Sequence, residues 1–441
     1  MLIITMLLSL GTLNMVSSET IKCSLDEDCG LLHECVQDVC LHKSLTASEP
    51  LEYLGSALIV LMSALANSTG IGGGEIMVPL LILLFFFETH LAIPLSLMLM
   101  LGSSFINTAL KIPRRHPAVD RPLISYDIVA YTMCPLLIGS TLGVLINRIV
   151  PDWLILTLVT ALLFYLTVQI SLKAIDTMVP KGKNYSVKSC VAVTVADIEE
   201  QIRSPDIESR VFPIKPCFAI ASVYIFALIC IYLRGDIEAI SPIGIENCSE
   251  GFWFLIWFKC LVLAVVAGLR IRHMRKNTQE MIDVNYQFTH DVIWNIRNIM
   301  FLAGIGLFGG LGVGMLGIGG GAILNPALIY LGMRPDVAQA TAQTMALLTS
   351  SMTLLLYSLA GMIYMDYAFW FFFLSVVGAS LGTWAVNYVA EKYQKKFLPI
   401  LMLAIVLGVA TLATPTYVIS TIVNGLNHHN FQYGFKDFCM S

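Results

Sequence analysis

The sequence predicts an all-α polytopic membrane protein built from two inverted-topology repeats, each with a glycine-broken helical hairpin. Three observations predict it. The 441 residues are 57% hydrophobic and only 13% charged, with a mean hydropathy of +0.77, which leaves too little charge to cover a soluble surface. Apolar runs long enough to span a bilayer as helices recur along the whole chain. A glycine-rich motif occurs twice. The net charge of -4 argues against a nucleic-acid partner.

Residues 1–18 read as a signal peptide, with small Val16 and Ser18 at the cleavage positions and no basic n-region; a short uncleaved anchor is the alternative. Residues 19–50 form a polar segment with Cys23, Cys29, Cys35 and Cys40. Cysteines so closely spaced in a stretch with little core read as two disulfides in a lumenal or extracellular compartment. Zinc is the rival, weakened by the lack of any Cys-x-x-Cys pair. The pairing stays open. Apolar segments follow at Leu51–Asn67, Glu75–Phe87, Ala92–Leu110, Tyr126–Asn147 and Trp153–Ala174, the first repeat (51–174). Residues 175–296 hold a polar stretch, two linking helices at Pro216–Tyr232 and Phe252–Leu269, and a basic loop. The second repeat (297–414) has Asn298–Leu316, Ala322–Leu331, Val337–Ala360, Tyr367–Val389 and Phe397–Ala413. Residues 415–441 form a tail.

Basic residues in short loops mark the cytoplasmic side. Lys111, Arg114, Arg115 and Arg121 crowd one loop, Arg270, Arg272, Arg275 and Lys276 a second, and Lys392, Lys395 and Lys396 a third. The loop from Gly235 to Gly251 has acids, no Lys or Arg, and the sequon Asn247-Cys248-Ser249. If each short apolar pair forms a returning hairpin, all basic loops fall inside. The acidic loop and both termini then fall outside, and Cys248 and Cys439 join the four N-terminal cysteines there.

The run Gly70-Ile71-Gly72-Gly73-Gly74-Glu75-Ile76-Met77-Val78-Pro79 recurs as Gly317-Ile318-Gly319-Gly320-Gly321-Ala322-Ile323-Leu324-Asn325-Pro326, identical at seven of ten positions. Gly139-Ser140-Thr141-Leu142-Gly143 likewise matches Gly378-Ala379-Ser380-Leu381-Gly382. One copy of the motif enters from outside and the other from the cytoplasm, the inverted arrangement common in secondary transporters.

The pattern Gly-x-Gly-Gly-Gly-x-x-x-x-Pro, once per half, resembles the sulfite exporter TauE/SafE family. In the second copy, Gly332 and Ala338-Gln339-Ala340-Thr341 extend the likeness. It covers most of Leu51 to Ala413, but neither the cysteine-rich segment nor the middle loop. The first copy departs from it, with Phe86-Phe87-Glu88 where a glycine turn is expected and Leu95 where the second copy has Thr341. The resemblance implies transport of sulfite or organosulfonates.

Clustered glycines break a helix, and broken backbone in a bilayer is tolerated where it is buried in protein or lines a cavity. A helix restarting after the glycines presents free N–H groups and a positive dipole end that attract anions. Gly72, Gly73, Gly74, Gly319, Gly320 and Gly321 are therefore candidate substrate-binding positions. With them go the polar residues at membrane depth: Asn67, Ser68, Thr69, Asn325, Gln339 and Gln343. Asn or Gln could instead bond a neighbouring helix. Ser103, Ser104 and Asn107 have approximate repeat mates in Thr349, Ser350 and Thr353. Glu75 reads either as a helix cap or as a proton carrier. Gly139/Gly143 and Gly378/Gly382 read as helix-packing positions.

No catalytic constellation, metal cluster, cofactor site or ATP-binding motif is apparent in the sequence. The expected function is gradient-driven transport of a small anion through the lipid bilayer of the plasma membrane or endomembrane system. A receptor or scaffold with a disulfide-rich outer domain is the alternative. The sequence does not give the oligomeric state.

Overall fold

The computed structural model describes residues 33–36, 39–43, 45, 50–69, 74–116, 121–178, 214–238, 240–283, 294–393, 408, 411, 415, 434–436, 438 and 439. They form a helical bundle with one small β-hairpin beside it, β1 (His33–Val36) and β2 (Val39–His42), paired antiparallel. In the first half, α1 is Pro50–Thr69, α2 Gly74–Phe85, α3 Thr89–Lys111, α4 Tyr126–Ile149 and α5 Asp152–Met178. Two linking helices follow, α6 (Ile214–Arg234) and α7 (Glu250–Asp283). In the second half, α8 is Ile296–Leu316, α9 Gly320–Tyr330, α10 Pro335–Leu359 and α11 Met365–Tyr393. Among the described residues, six helices are long and apolar enough to cross a membrane. The protein is an integral multi-pass membrane protein.

Burial sorts these helices. The apolar windows of α3 and α4 are 83% and 89% buried inside the bundle, while those of α6 and α7 are 28% buried. Phe218, Tyr232, Phe254, Trp257 and Leu261 project outward from α6 and α7. So much exposed apolar surface fits contact with lipid rather than water.

The halves are interlocked. α4 packs along α8, and α11 packs along α1, so the fourth helix of each half lies on the first helix of the other. The two third helices, α3 and α10, pack on one another, and each also packs on the fourth helix of the opposite half. Lipid supplies no hydrophobic drive to such contacts, so close backbone approach must supply the packing. Both crossings achieve it with glycine. A Cβ on Gly310 would stand 2.2 Å from the Leu136 carbonyl oxygen, and one on Gly314 2.2 Å from that of Ser140. On the facing helix, a Cβ on Gly139 would stand 2.2 Å from the Leu307 carbonyl oxygen. At the other crossing a Cβ on Gly382 would stand 2.2 Å from the Ala64 carbonyl oxygen. The packing role expected of the Gly139/Gly143 and Gly378/Gly382 pairs is thus realised in the geometry.

The segment expected to be a loop-rich knot contains a β-hairpin, its short strands carrying the β-branched Val36 and Val39. Cys35 is disulfide-bonded. Cys248 and Cys439 also form a disulfide. Cys23 and Cys29 lie outside the described residues.

Candidate functional site

The break between α8 and α9 is where polar backbone is interrupted deep in the bundle, and the bonding of its two ends differs. α8 ends in a left-handed residue, Gly317, at φ 68°. Gly317 N–H donates to the Val313 carbonyl (3.2 Å), the αL type of helix end, and Ile318 N–H to that of Gly312 (3.3 Å). The next carbonyls are met by side chains from three helices. Tyr357 of α10 donates its hydroxyl to the Gly314 carbonyl. Asn147 of α4 donates to that of Met315 (2.8 Å). Ser96 of α3 donates to that of Gly317 (3.2 Å), sharing its hydroxyl with the Ile93 carbonyl (2.7 Å). An unpaired carbonyl away from water costs free energy, so this convergence explains why the break is stable.

The start of α9 has no matching cap. Gly319 is its N-cap residue and brings no side chain to the amides of the first turn. Gly319, Gly320 and Gly321 are all buried. A Cβ on Gly320 would meet ordinary neighbours, Val313 at 3.4 Å, Leu136 at 3.6 Å and the Thr349 hydroxyl at 3.8 Å. Among the described residues, no side chain accepts a hydrogen bond from the Gly320 or Gly321 amide. Carbonyls answered and amides unanswered make a break suited to an acceptor, that is, to an anion.

The turn also touches the other half. A Cβ on Gly317 would stand 2.5 Å from the Ser96 hydroxyl, 3.1 Å from the Ile93 carbonyl oxygen and 3.2 Å from Val78. Val78 lies in α2, four residues beyond Gly74. The second glycine turn is therefore wedged against the helix that the first glycine motif begins.

The other sequence-predicted residues are distributed as follows. Gly72 and Gly73 lie outside the described residues. Gly74 and Glu75 open α2, and of Ser68, Thr69, Gly74 and Glu75 only the helical backbone is described. Asn67 is buried. It donates to the Ser63 carbonyl (2.8 Å) and accepts from Asn107, which also donates to the Ser103 carbonyl (2.9 Å). Thr383 of α11 reaches the same Asn107 amide oxygen at 3.4 Å. Ser103, Ser104, Thr349, Ser350 and Thr353 donate back to carbonyls of their own helices, the usual way a hydroxyl is satisfied inside a helix. Asn325 and Gln339 are half-buried. Gln343 is buried and accepts from Lys111 of α3, so it joins the two third helices rather than lying at the break.

Several participants are not singled out by sequence. Asn147 also meets His90 through its amide oxygen (3.2 Å), and His90 faces Asp152 at 3.3 Å. These contacts join α3, α4, α5 and α8 around the end of the break. No sequence spacing couples residues 90, 147, 152 and 315. Asn147, fully buried within an apolar helix, is the available signal.

His42 is equally hidden. Its ring stacks on Phe87 at 4.2 Å between centroids and meets Tyr367 edge-on at 5.1 Å. Nε2 lies 2.9 Å from the Phe85 carbonyl at the end of α2, and Nδ1 3.0 Å from that of Lys43. Burial pushes its pKa below the usual histidine value, against the pull of those carbonyls. Tyr367 in turn donates to Glu52 and to the Lys43 carbonyl (3.1 Å). The β-hairpin is thereby docked on the far end of the first glycine hairpin.

The chain is similar to known proteins along most of its length. The model of the family described as Sulfite exporter TauE/SafE matches residues 56–201 and 245–409. The first block covers α1 to α5, the second begins before α7 and covers it with α8 to α11, and α6 falls between them. Sulfite exporter TauE/SafE family protein 1 of Arabidopsis thaliana is 26% identical over 407 residues, covering 88% of each chain. Family protein 3 of the same plant is 24% identical over 395 residues, covering 88% of this chain and 82% of its own. Family protein 2 is 24% identical over 379 residues, covering 82% of each. No solved structure matches.

Proposed function

We propose that this multi-pass membrane transporter, which belongs to the sulfite exporter TauE/SafE family, carries a small sulfur oxyanion, sulfite or a sulfonate, through a midplane site built on its glycine breaks. The observation that carries the reading is the asymmetry at Gly317–Gly321: every carbonyl named above is answered, and the Gly320 and Gly321 amides are left for a ligand. A sulfonate or sulfite supplies several acceptor oxygens to such amides, as phosphates do at other helix starts. Gly72, Gly73 and Gly74 supply the equivalent turn from the first half, with Asn67, Ser68, Thr69 and Asn325 alongside.

Alternating access follows from the interlock. Rocking one repeat against the other would expose a site held between them to each side in turn. The energy comes from a gradient. Glu75 stands at the position that Ala322 fills in the second copy, so a proton on Glu75 would relieve its repulsion of a bound anion. Two like charges about 4 Å apart repel by roughly 4 kcal/mol at an effective dielectric of about 20. The Gly235–Gly251 loop and both termini lie outside in this reading, which the Cys248–Cys439 disulfide supports.

The test is flux in liposomes reconstituted with the purified protein, measured for sulfite, sulfate, a sulfonate and chloride. Sulfite or sulfonate should move. Gly320→Val and Gly73→Val should each cut that flux by about tenfold or more, the worth of one charge-assisted hydrogen bond, while the protein stays folded. Absence of flux for all four anions would leave a receptor or scaffold as the better reading.

A further inference from the structure

Among the described residues, a buried charge imbalance lies away from the glycine break, where α4 and α6 end beside α7. Arg148, Arg234, Asp236 and Lys259 are all less than a tenth exposed. Among the described residues, Asp236 is the acid of the group. It accepts from Arg148 Nη1 at 3.0 and 3.2 Å and from Arg234 Nη2 at 2.7 Å. Arg234 also donates Nε to the Gly235 carbonyl (3.1 Å). Among the described residues, three cations and one carboxylate leave a surplus of two positive charges.

The donors are equally unbalanced. Among the described residues, Arg148 Nη2 is buried with no hydrogen-bond partner. Lys259 has three N–H donors, yet among those residues its one hydrogen bond is to the Thr141 hydroxyl at 2.7 Å. That hydroxyl already donates to the Leu137 carbonyl (2.8 Å), so it offers Lys259 a lone pair and no charge. Thr141 and Arg148 are seven residues apart, two turns along one face of α4. Arg234, which lies within electrostatic reach of Arg148, links the two ends of this face. Lys259 also lies within electrostatic reach of Arg234.

Aromatic rings and a tethered tail cover the group. The Arg148 guanidinium sits 4.4 Å from the centre of the Phe438 ring, and that of Arg234 sits 4.7 Å from Phe252. Phe438 is held there by the neighbouring Cys439–Cys248 disulfide and by Lys436, whose amide donates to the Ile149 carbonyl (2.8 Å). Ring faces attract cations but supply neither a full charge nor an acceptor for Nη2. Buried charges are normally paired, and like charges this close repel. An anion would complete an arrangement of this kind.

We infer that Arg148, Arg234 and Lys259 form a second anion site, for one small oxyanion, at the α4–α6–α7 end of the bundle and separate from the glycine break. An oxyanion suits it better than a halide, because several oxygens can accept from Arg148 and Lys259 at once, with Asp236 holding the two guanidinium groups in place. Arg234 and Asp236 lie between the two blocks matched by the family model, so half of the cluster falls outside that match.

The experiment is equilibrium binding of radiolabelled sulfate to purified, full-length protein in detergent, at constant ionic strength. Thermal unfolding is followed in parallel across sulfate concentrations. Wild-type protein should bind sulfate, and its Tm should rise with the logarithm of sulfate concentration, as linkage requires. Arg148→Gln and Lys259→Met should each weaken sulfate binding by about tenfold or more. Lys259→Met also guards against simple misfolding. It removes a buried charge that the cluster leaves uncompensated, so its Tm in sulfate-free buffer should equal or exceed that of the wild type while the sulfate-dependent rise shrinks. No specific sulfate binding by the wild type, or unchanged affinity in both variants, would overturn the site. A lower Tm for Lys259→Met without sulfate, with an undiminished sulfate response, would show the lysine to be purely structural and overturn it too. Binding is read here without flux, so failure of this site and failure of the transport reading are separate results.

Discussion

The two halves solve the same structural problem with different chemistry, and the difference points to where each is constrained. Both must fasten the last turn before a glycine break to the third helix of their own half. In the first half the fastening joins side chains: Asn107 of α3 donates to Asn67 of α1. In the second, Tyr357 of α10 donates to the main-chain carbonyl of Gly314, the repeat mate of Asn67. The glycine at 314 is demanded elsewhere, because there α8 crosses α4 at backbone contact. Position 67 has no such demand and carries a side chain. The turns after the short helices differ in the same way. Gly332 takes φ 98° at the exit of α9, with open space where a Cβ would be. At the matching exit of α2 stands Phe86, at φ 55°. A bulky residue pays a conformational penalty there, and the stacked contacts of neighbouring Phe87 with His42 show what holds that exit in place.

The comparison breaks most visibly at the crossings. Gly310→Val and Gly382→Val each put side-chain carbon into a facing carbonyl. Each should therefore abolish recovery of monodisperse protein on size-exclusion chromatography in detergent, an effect of several kcal/mol. If one crossing tolerates valine and the other does not, the halves are not equivalent in packing. The next effect separates the halves chemically. Glu75→Gln should leave anion affinity intact but remove its dependence on pH between about pH 5 and 8, measured as substrate affinity in proteoliposomes. An unchanged pH profile would assign coupling elsewhere and leave Glu75 as a helix cap.

Smaller effects concern the exits. Gly332→Ala should cost about 1 kcal/mol of stability, purely from its positive φ, while Phe86→Ala leaves a positive-φ residue in place and forfeits only packing. Comparison of the two unfolding midpoints checks this. The smallest effect is the pH response of the hairpin docking. His42 is the group, faced by His33, Glu52, Tyr364 and Tyr367. Because burial lowers its folded pKa below the unfolded value near 6.5, the unfolded chain binds the proton more readily. Its contribution is full above that unfolded value and is lost as pH falls through the folded one. The Tm of the wild type should therefore drop further between about pH 7.5 and 5, a range that brackets the unfolded histidine, than the Tm of His42→Gln. Equal drops in the two proteins would show that the docked histidine does not sense pH.

Much of this was legible because membrane burial is written in composition. The duplicated glycine motif, the spaced glycine pairs of α4 and α11 and the missing glycine at Phe86 all stood out against apolar sequence. The partners of those features did not. Gly310 and Gly314 are two glycines in a helix rich in them, and nothing in the sequence says that they face Gly139 and Gly143. Lys259, Arg148 and Arg234 stand far apart in the sequence, and no motif couples them. Their convergence on Asp236 depends on how α4, α6 and α7 are placed, which no local pattern encodes. Gln343 shared a helical face with Gln339 as the four-residue spacing implies, yet the packing of α10 on α3 decided that it meets Lys111.

The reciprocal crossing of first and fourth helices also has a consequence for biosynthesis. Ala64 of α1 receives Gly382 of α11, so an early helix waits for a late one. At roughly 5–20 residues per second, the ribosome takes about 15–60 s to make the intervening chain. Throughout that time α1 must sit in the bilayer with its small-residue groove open to any other helix. The insertion machinery or a membrane chaperone has to keep that groove unoccupied, and a lesion near the end of the coding sequence would first be felt as a failure of its beginning.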